Sequence, residues 1–112
     1  MTGPAYRHEL IKGILDKSGL KVFYGNDVMD GDARSFPYIS YIDSETEYFY
    51  ADGVPFEVTE IFDIRLYTKN KSIENEASIE RLLKDNMIPF TKKDGFKDYR
   101  DGYHVTTYEV SI

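Results

Sequence analysis

Cysteine and tryptophan are both absent from the 112 residues. Without thiols there is no disulfide framework, no thiolate nucleophile and no thiolate metal ligand. No apolar run approaches the roughly 20 residues a bilayer-crossing helix requires. The opening MTGPAYRHELIKG lacks the layout of a signal peptide. A soluble chain without a membrane partner is the expectation. Positive charge is also scarce, with 14 Lys and Arg against 20 Asp and Glu and a net charge of −6. Nothing is denser than Lys92-Lys93 or the spaced pair Lys69 and Lys71, which speaks against specific nucleic-acid binding.

Catalytic signatures are missing in the same way. There is no Walker loop, no G-x-G-x-x-G and no G-x-S-x-G. The two histidines, His8 and His104, have neither the H-x-x-x-H spacing nor a carboxylate spacing that would suggest a metal site. Asp27, Asp30 and Asp32 fall short of the EF-hand pattern, which needs D-x-[DN]-x-[DN]-G and a closing Glu. The strand around Asp63-Ile64-Arg65 has no E-x-K after it, as a nuclease would want. The expectation is therefore no enzyme, no cofactor and no metal.

What the sequence does contain is alternation. From Phe56 to Thr68 it reads FEVTEIFDIRLYT. Phe56, Val58, Phe62, Ile64 and Leu66 fall on one side, and Glu57, Thr59, Asp63, Arg65 and Tyr67 on the other. Period-2 alternation predicts a strand with one buried face. At about 3.3 Å per residue such a strand spans about 40 Å, far beyond the roughly 13 Å radius of gyration expected for this length. It crosses the whole domain, with room for one end to project.

The remaining elements fall around this strand. Residues 1–20 predict a helix, with Pro4 in the first turn and Leu10, Ile11, Ile14 and Leu15 on one face. Gly13 weakens it unless close packing requires it, and Gly19 suits a left-handed cap. Lys21 to Tyr24 is a short strand. Residues 25–35 form a mobile acidic loop rich in Gly, Asn and Asp. Strand character resumes from Tyr38, with a bend or bulge at Asp43-Ser44-Glu45, and Asp52-Gly53 makes a hairpin turn into the long strand. Ser72 caps a second helix whose apolar side is Ile73, Ala77, Ile79, Leu82, Leu83 and Met87, ending at Asn86. A short strand at Ile88 to Thr91, a looser stretch to Tyr99, a second Asp-Gly turn at Asp101-Gly102 and a last strand from Tyr103 complete the chain. The order α-β-β-β-α-β-β predicts a single α+β domain over residues 1–112. Its sheet is mostly antiparallel, of four to five strands, with two helices packed on one face.

The ten tyrosines are good strand residues and also good interface residues. The outward side of the central strand, Glu57, Thr59, Asp63, Arg65 and Tyr67, is one candidate contact surface. The hairpin tip with Tyr50 and Asp52 is another.

Four stretches, FPYISYID, FYADGVPF, IRLYTKNKSIENEASIERLLKDNMIPF and YHVTTYEVSI, lie in an order and spacing that resembles the tail-completion, or tail-terminator, proteins of long-tailed phages and prophages. The shared pattern is an aromatic-Pro-Tyr strand, a Y-A-D hairpin, a strand ending in LYTK, an acid-rich helix and a closing Y-x-x-x-Y-E strand, over roughly residues 36–112. The resemblance implies a structural virion protein that forms a ring, often a hexamer, on the last ring of major tail protein. It implies partners in the major tail protein and the head connector or neck, residence in the virion and in the host cytoplasm during assembly, and no catalysis. Head–tail joining proteins of the neck have a similar size and role. A different class also fits the acidity and size: a small regulatory or inhibitory domain, antitoxin-like, acting through a protein partner.

Overall fold

The computed structural model describes residues 4–25, 36–51, 53–93, 99–100 and 103–112, with side chains described except at 4–6, 45, 49–51, 54–58 and 99–100. The acidic loop expected at 25–35 lies outside the described residues apart from Gly25. Helix α1 (Pro4–Asp16) begins on its proline, where a missing N–H costs nothing. Its last residue is Asp16, and Gly19 follows at φ 81°, a conformation that costs a glycine little. At this end it stops short of the residue 20 expected.

Strand β1 (Lys21–Tyr24) lies parallel to β2 (Tyr38–Ala51), with Lys21 opposite Tyr38 and Tyr24 opposite Tyr41. The sheet is thus mixed, and the connection from Gly25 to Pro37 supplies the length a parallel crossover requires. β2 turns through residues 52–53 into β3 (Val54–Thr68), and Gly53 sits at φ 77°. That two-residue loop is what an Asp-Gly pair favours. Ser44 is the extra residue of a β-bulge: Asp43 faces Phe62, and Glu45 faces Ile61. Its hydroxyl donates to the Ile61 carbonyl at 3.2 Å. A second irregularity falls where Phe49 faces Glu57 and Tyr50 faces Pro55.

Helix α2 (Ile73–Asp85) starts on Ser72, whose Oγ accepts from the Asn75 N–H at 3.3 Å. It ends on Asn86, and Met87 then takes φ 56°. β4 (Phe90–Lys92), β5 (Tyr99–Arg100) and β6 (Tyr103–Ser111) follow. The two-residue β5 brings the described strands to six, above the four to five expected. The sheet order is β1-β2-β3-β6-β4, with β5 also on the outer side of β6, and every pairing except β1–β2 is antiparallel.

Both helices pack on one face. Ile11, Ile14 and Leu15 of α1, and Ile79 and Leu83 of α2, share one buried cluster with Ile39, Tyr41, Phe62, Ile64, Leu66, Tyr108 and Val110. The apolar side expected for α2 needs correction. Ile73 and Met87 are 73% and 89% exposed, and Ala77 is exposed. The line facing the sheet is Glu76, Ile79 and Leu83, at the 3–4 spacing of one helix face, and it includes an acid. On the opposite face of the sheet Tyr38, Tyr67 and Val105 form a second cluster, flanked by Phe23, Phe36 and Tyr103. Tyr38 and Tyr67 stack at 4.7 Å between ring centroids.

Candidate functional site

β2 and β3 outrun the rest of the sheet. β1 covers β2 only as far as Tyr41, where the Gly25 N–H reaches the Tyr41 carbonyl at 2.9 Å. β6 covers β3 only from Ile61 onward, and the last cross-strand bonds are the two between Glu60 and Ile112, both 2.9 Å. From Glu45 to Ala51 and from Val54 to Glu60 the two strands pair only with each other among the described residues. This arm accounts for the shape of the molecule. Its extents are 51 × 26 × 26 Å and its radius of gyration 15.0 Å, above the roughly 13 Å of a rounder chain this long. About seven residues per strand at about 3.3 Å each give an arm of roughly 23 Å.

The root of the arm is braced by α1. Glu60 falls in phase with Phe62 and Ile64, so it points to the helix side, and it is 4% exposed. A buried carboxylate requires partners. Thr46 Oγ1 donates to both its oxygens at 3.1 Å, and Arg7 Nη1 stands 3.9 Å away. One residue further along α1, His8 packs edge-on against Phe62 and tilts onto Tyr24, with Nε2 3.6 Å from Asp43. The Tyr24 hydroxyl donates to the same carboxylate. The Asp43 bond, with burial a smaller cause, raises the Tyr24 pKa. Beyond this root, Glu47 and Tyr48 are exposed, Tyr48 by 54%.

The expected contact residues fall in different places. Asp52 and the side chains of Tyr50 and Glu57 lie outside the described residues. Thr59 is half-buried near the arm's root. Asp63 and Arg65 are half-buried on the back of the sheet, 3.9 Å apart, and Asp63 Oδ1 is buried without a hydrogen bond among the described residues. Tyr67 corrects the expectation: it is 3% exposed inside the aromatic cluster of the back face and presents no surface to a partner.

A polar cluster that the sequence reading missed joins α2 to β4 and β6. Glu76, 3% exposed, accepts from Lys71 Nζ at 3.0 Å, from Thr106 Oγ1 at 3.2 Å and from Lys92 Nζ. Burial alone would raise its pKa, but the hydrogen bonds and charges of Lys92 and Lys71 outweigh it and hold the carboxyl below its ordinary value. Lys92 is raised in turn, chiefly by its bond to Glu76. Tyr108 donates to Glu80 Oε2 at 2.8 Å, and burial, then that bond, pushes its hydroxyl far up. Every partner here is already engaged, so the cluster clamps a helix to a sheet rather than offering groups to a substrate. The one signal for it in the sequence is an acid in phase with Ile79 and Leu83. Among the described residues no group of three or more His, Cys, Asp or Glu is placed to hold a metal, and no helix is long and apolar enough to cross a membrane.

In comparisons with known proteins, no family model matches the chain and no curated protein matches it significantly.

Proposed function

We propose that this chain is a structural virion protein of a phage or prophage. It closes into a ring, often a hexamer in the family it resembles, on the last ring of major tail protein, stops growth of the tube and offers a surface to the head connector. It acts by contact, without catalysis or cofactor.

The arm is the observation that carries this reading. A two-stranded ribbon has no core of its own and is marginal at best when isolated in water. Here it is held some 23 Å clear of the body by the Glu60–Arg7–Thr46 brace. A chain that invests buried ion pairing in holding out a two-stranded element is built for contact. The four resembling stretches supply the particular assembly. Contacts between copies fall to the back of the sheet, where Asp63 and Arg65 stand beside Glu109 on the neighbouring strand.

The test is electron microscopy of the concentrated protein, alone and with tubes of a phage major tail protein. Closed rings and blunt, capped tube ends are expected. Asp63→Arg and Arg65→Asp, made separately, disrupt the rings. Tubes that keep open ends together with protein that never forms rings overturn the reading.

A further inference from the structure

The arm has a chemical character of its own. Between residues 43 and 60 there are six carboxylates, Asp43, Glu45, Glu47, Asp52, Glu57 and Glu60, and no Lys, Arg or His. The rest of the chain holds 14 Asp and Glu against 14 Lys and Arg, so the net charge of −6 is accounted for by the arm together with its root. Two of the six are settled at the root, Glu60 with Arg7 and Asp43 with Tyr24. The other four, Glu45, Glu47, Asp52 and Glu57, fall in the sequence between these two, and Glu47 is exposed.

We infer that the arm is the docking element for a Lys/Arg-rich surface on a different protein, and not the contact between copies of this chain. Two such arms laid edge to edge bring carboxylates opposite carboxylates, which opposes strand pairing, and charge along an edge strand is a recurrent device against self-pairing. The body of a second copy, electrically balanced, offers no net attraction. A nucleic acid is repelled. A basic protein surface is attracted from a distance, and the charges set its approach and register. Once it arrives, two kinds of short-range contact are available. No described strand pairs with the outer side of β2 beyond Tyr41 or of β3 before Glu60, so a partner strand can add at either edge. Tyr48, more than half exposed, gives an amphipathic anchor of the type enriched at interface centres.

This inference rests on the proposed function only for which protein carries the basic surface. It is tested without that protein, by titrating the isotope-labelled full chain with a ten-residue peptide of alternating Lys and Val and following its amide resonances. Resonances of the arm shift while those of the α1–α2 body stay in place, and binding weakens roughly tenfold between 50 and 300 mM NaCl as screening shortens the reach of the charges. In the variant carrying Glu45→Gln, Glu47→Gln and Glu57→Gln, binding falls roughly tenfold or more at low salt. Absence of binding, shifts confined to the body, or equal binding by the variant overturns the inference. Sedimentation of the same samples separates the two readings. Rings that persist in the variant support a self-contact elsewhere, and rings lost or strengthened on neutralising the arm make it the self-contact and overturn the inference. A wild-type chain that binds the peptide through the arm but never forms rings overturns the ring while leaving the arm's role intact.

Discussion

One pair of strands serves two environments. Within β3, Phe62, Ile64 and Leu66 are fully buried beneath the helices, as is Ile39 on β2, and Tyr41 is nearly so. A few residues on along β2, Tyr48 is 54% exposed in a ribbon that, among the described residues, pairs only with itself. The change comes where partners stop. β1 ends opposite Tyr41, the last bonds of β6 reach Glu60, and α1 closes over that point with Arg7. The body is held by burial, whereas the arm is held by its ladder and by the brace at its root. Interactions in the body therefore govern stability, and those in the arm govern association on the reading proposed above.

The largest test of that division is Phe62→Ala. Removing a ring from the centre of the core costs about 3–5 kcal/mol and lowers the thermal midpoint by roughly 12–25 °C. Glu76→Gln comes next. Losing the carboxylate beneath Lys71 and Lys92 costs about 2–3 kcal/mol in urea unfolding, at the lower end for a buried pair because both lysines are half-solvated. This variant also changes the acid limb. A carboxyl held below its ordinary value of 4.5 stabilises the fold fully above that pH and loses its contribution as pH falls through the lowered value. The wild type thus loses stability below about pH 4.5, and Glu76→Gln removes this part of the loss. Gly13→Ala has the opposite sign. A Cβ there meets nothing within 4 Å, so the glycine serves no close approach, and alanine gains about 0.8–1 kcal/mol of helix propensity. The smallest effect on stability belongs to Tyr48→Ala. Its unfolding midpoint moves by less than about 0.5 kcal/mol, while affinity for the Lys-Val peptide drops roughly fivefold. A Tyr48→Ala variant as unstable as Phe62→Ala would erase the distinction between arm and body.

The α+β architecture, both helices and the long strand were legible because they are written in local periodicity and caps: the alternation through β3, Ser72 before α2 and Asp52-Gly53 at the turn. Other features depend on residues far apart in sequence. Glu60 occupies an apolar phase between Val58 and Phe62, and its partner Arg7 lies on α1, more than fifty residues earlier. Glu76 breaks the stripe of α2 in the same way and is satisfied from a loop and two strands. Tyr67 has the phase of an outward residue, yet its face is closed by Tyr38 across the ladder and by Val105 from β6. The parallel pairing of β1 was foreshadowed only by the length of the segment that follows it. Of the candidate contact residues, Asp63 and Arg65 stand on the back of the sheet as the alternation required, half-buried instead of fully solvated.

Ser44 gives the arm its handedness of presentation. One surplus residue at the root resets the alternation of β2, placing Thr46 on the same side as Glu60 and the next residue, Glu47, on the other. Pairing that serine as an ordinary strand residue would turn the outer strand over like a page, whereas excising it would leave Glu45 facing Ile61 and Thr46 facing Glu60. The surface offered to the outside world is thus encoded by a count of residues as much as by their kinds.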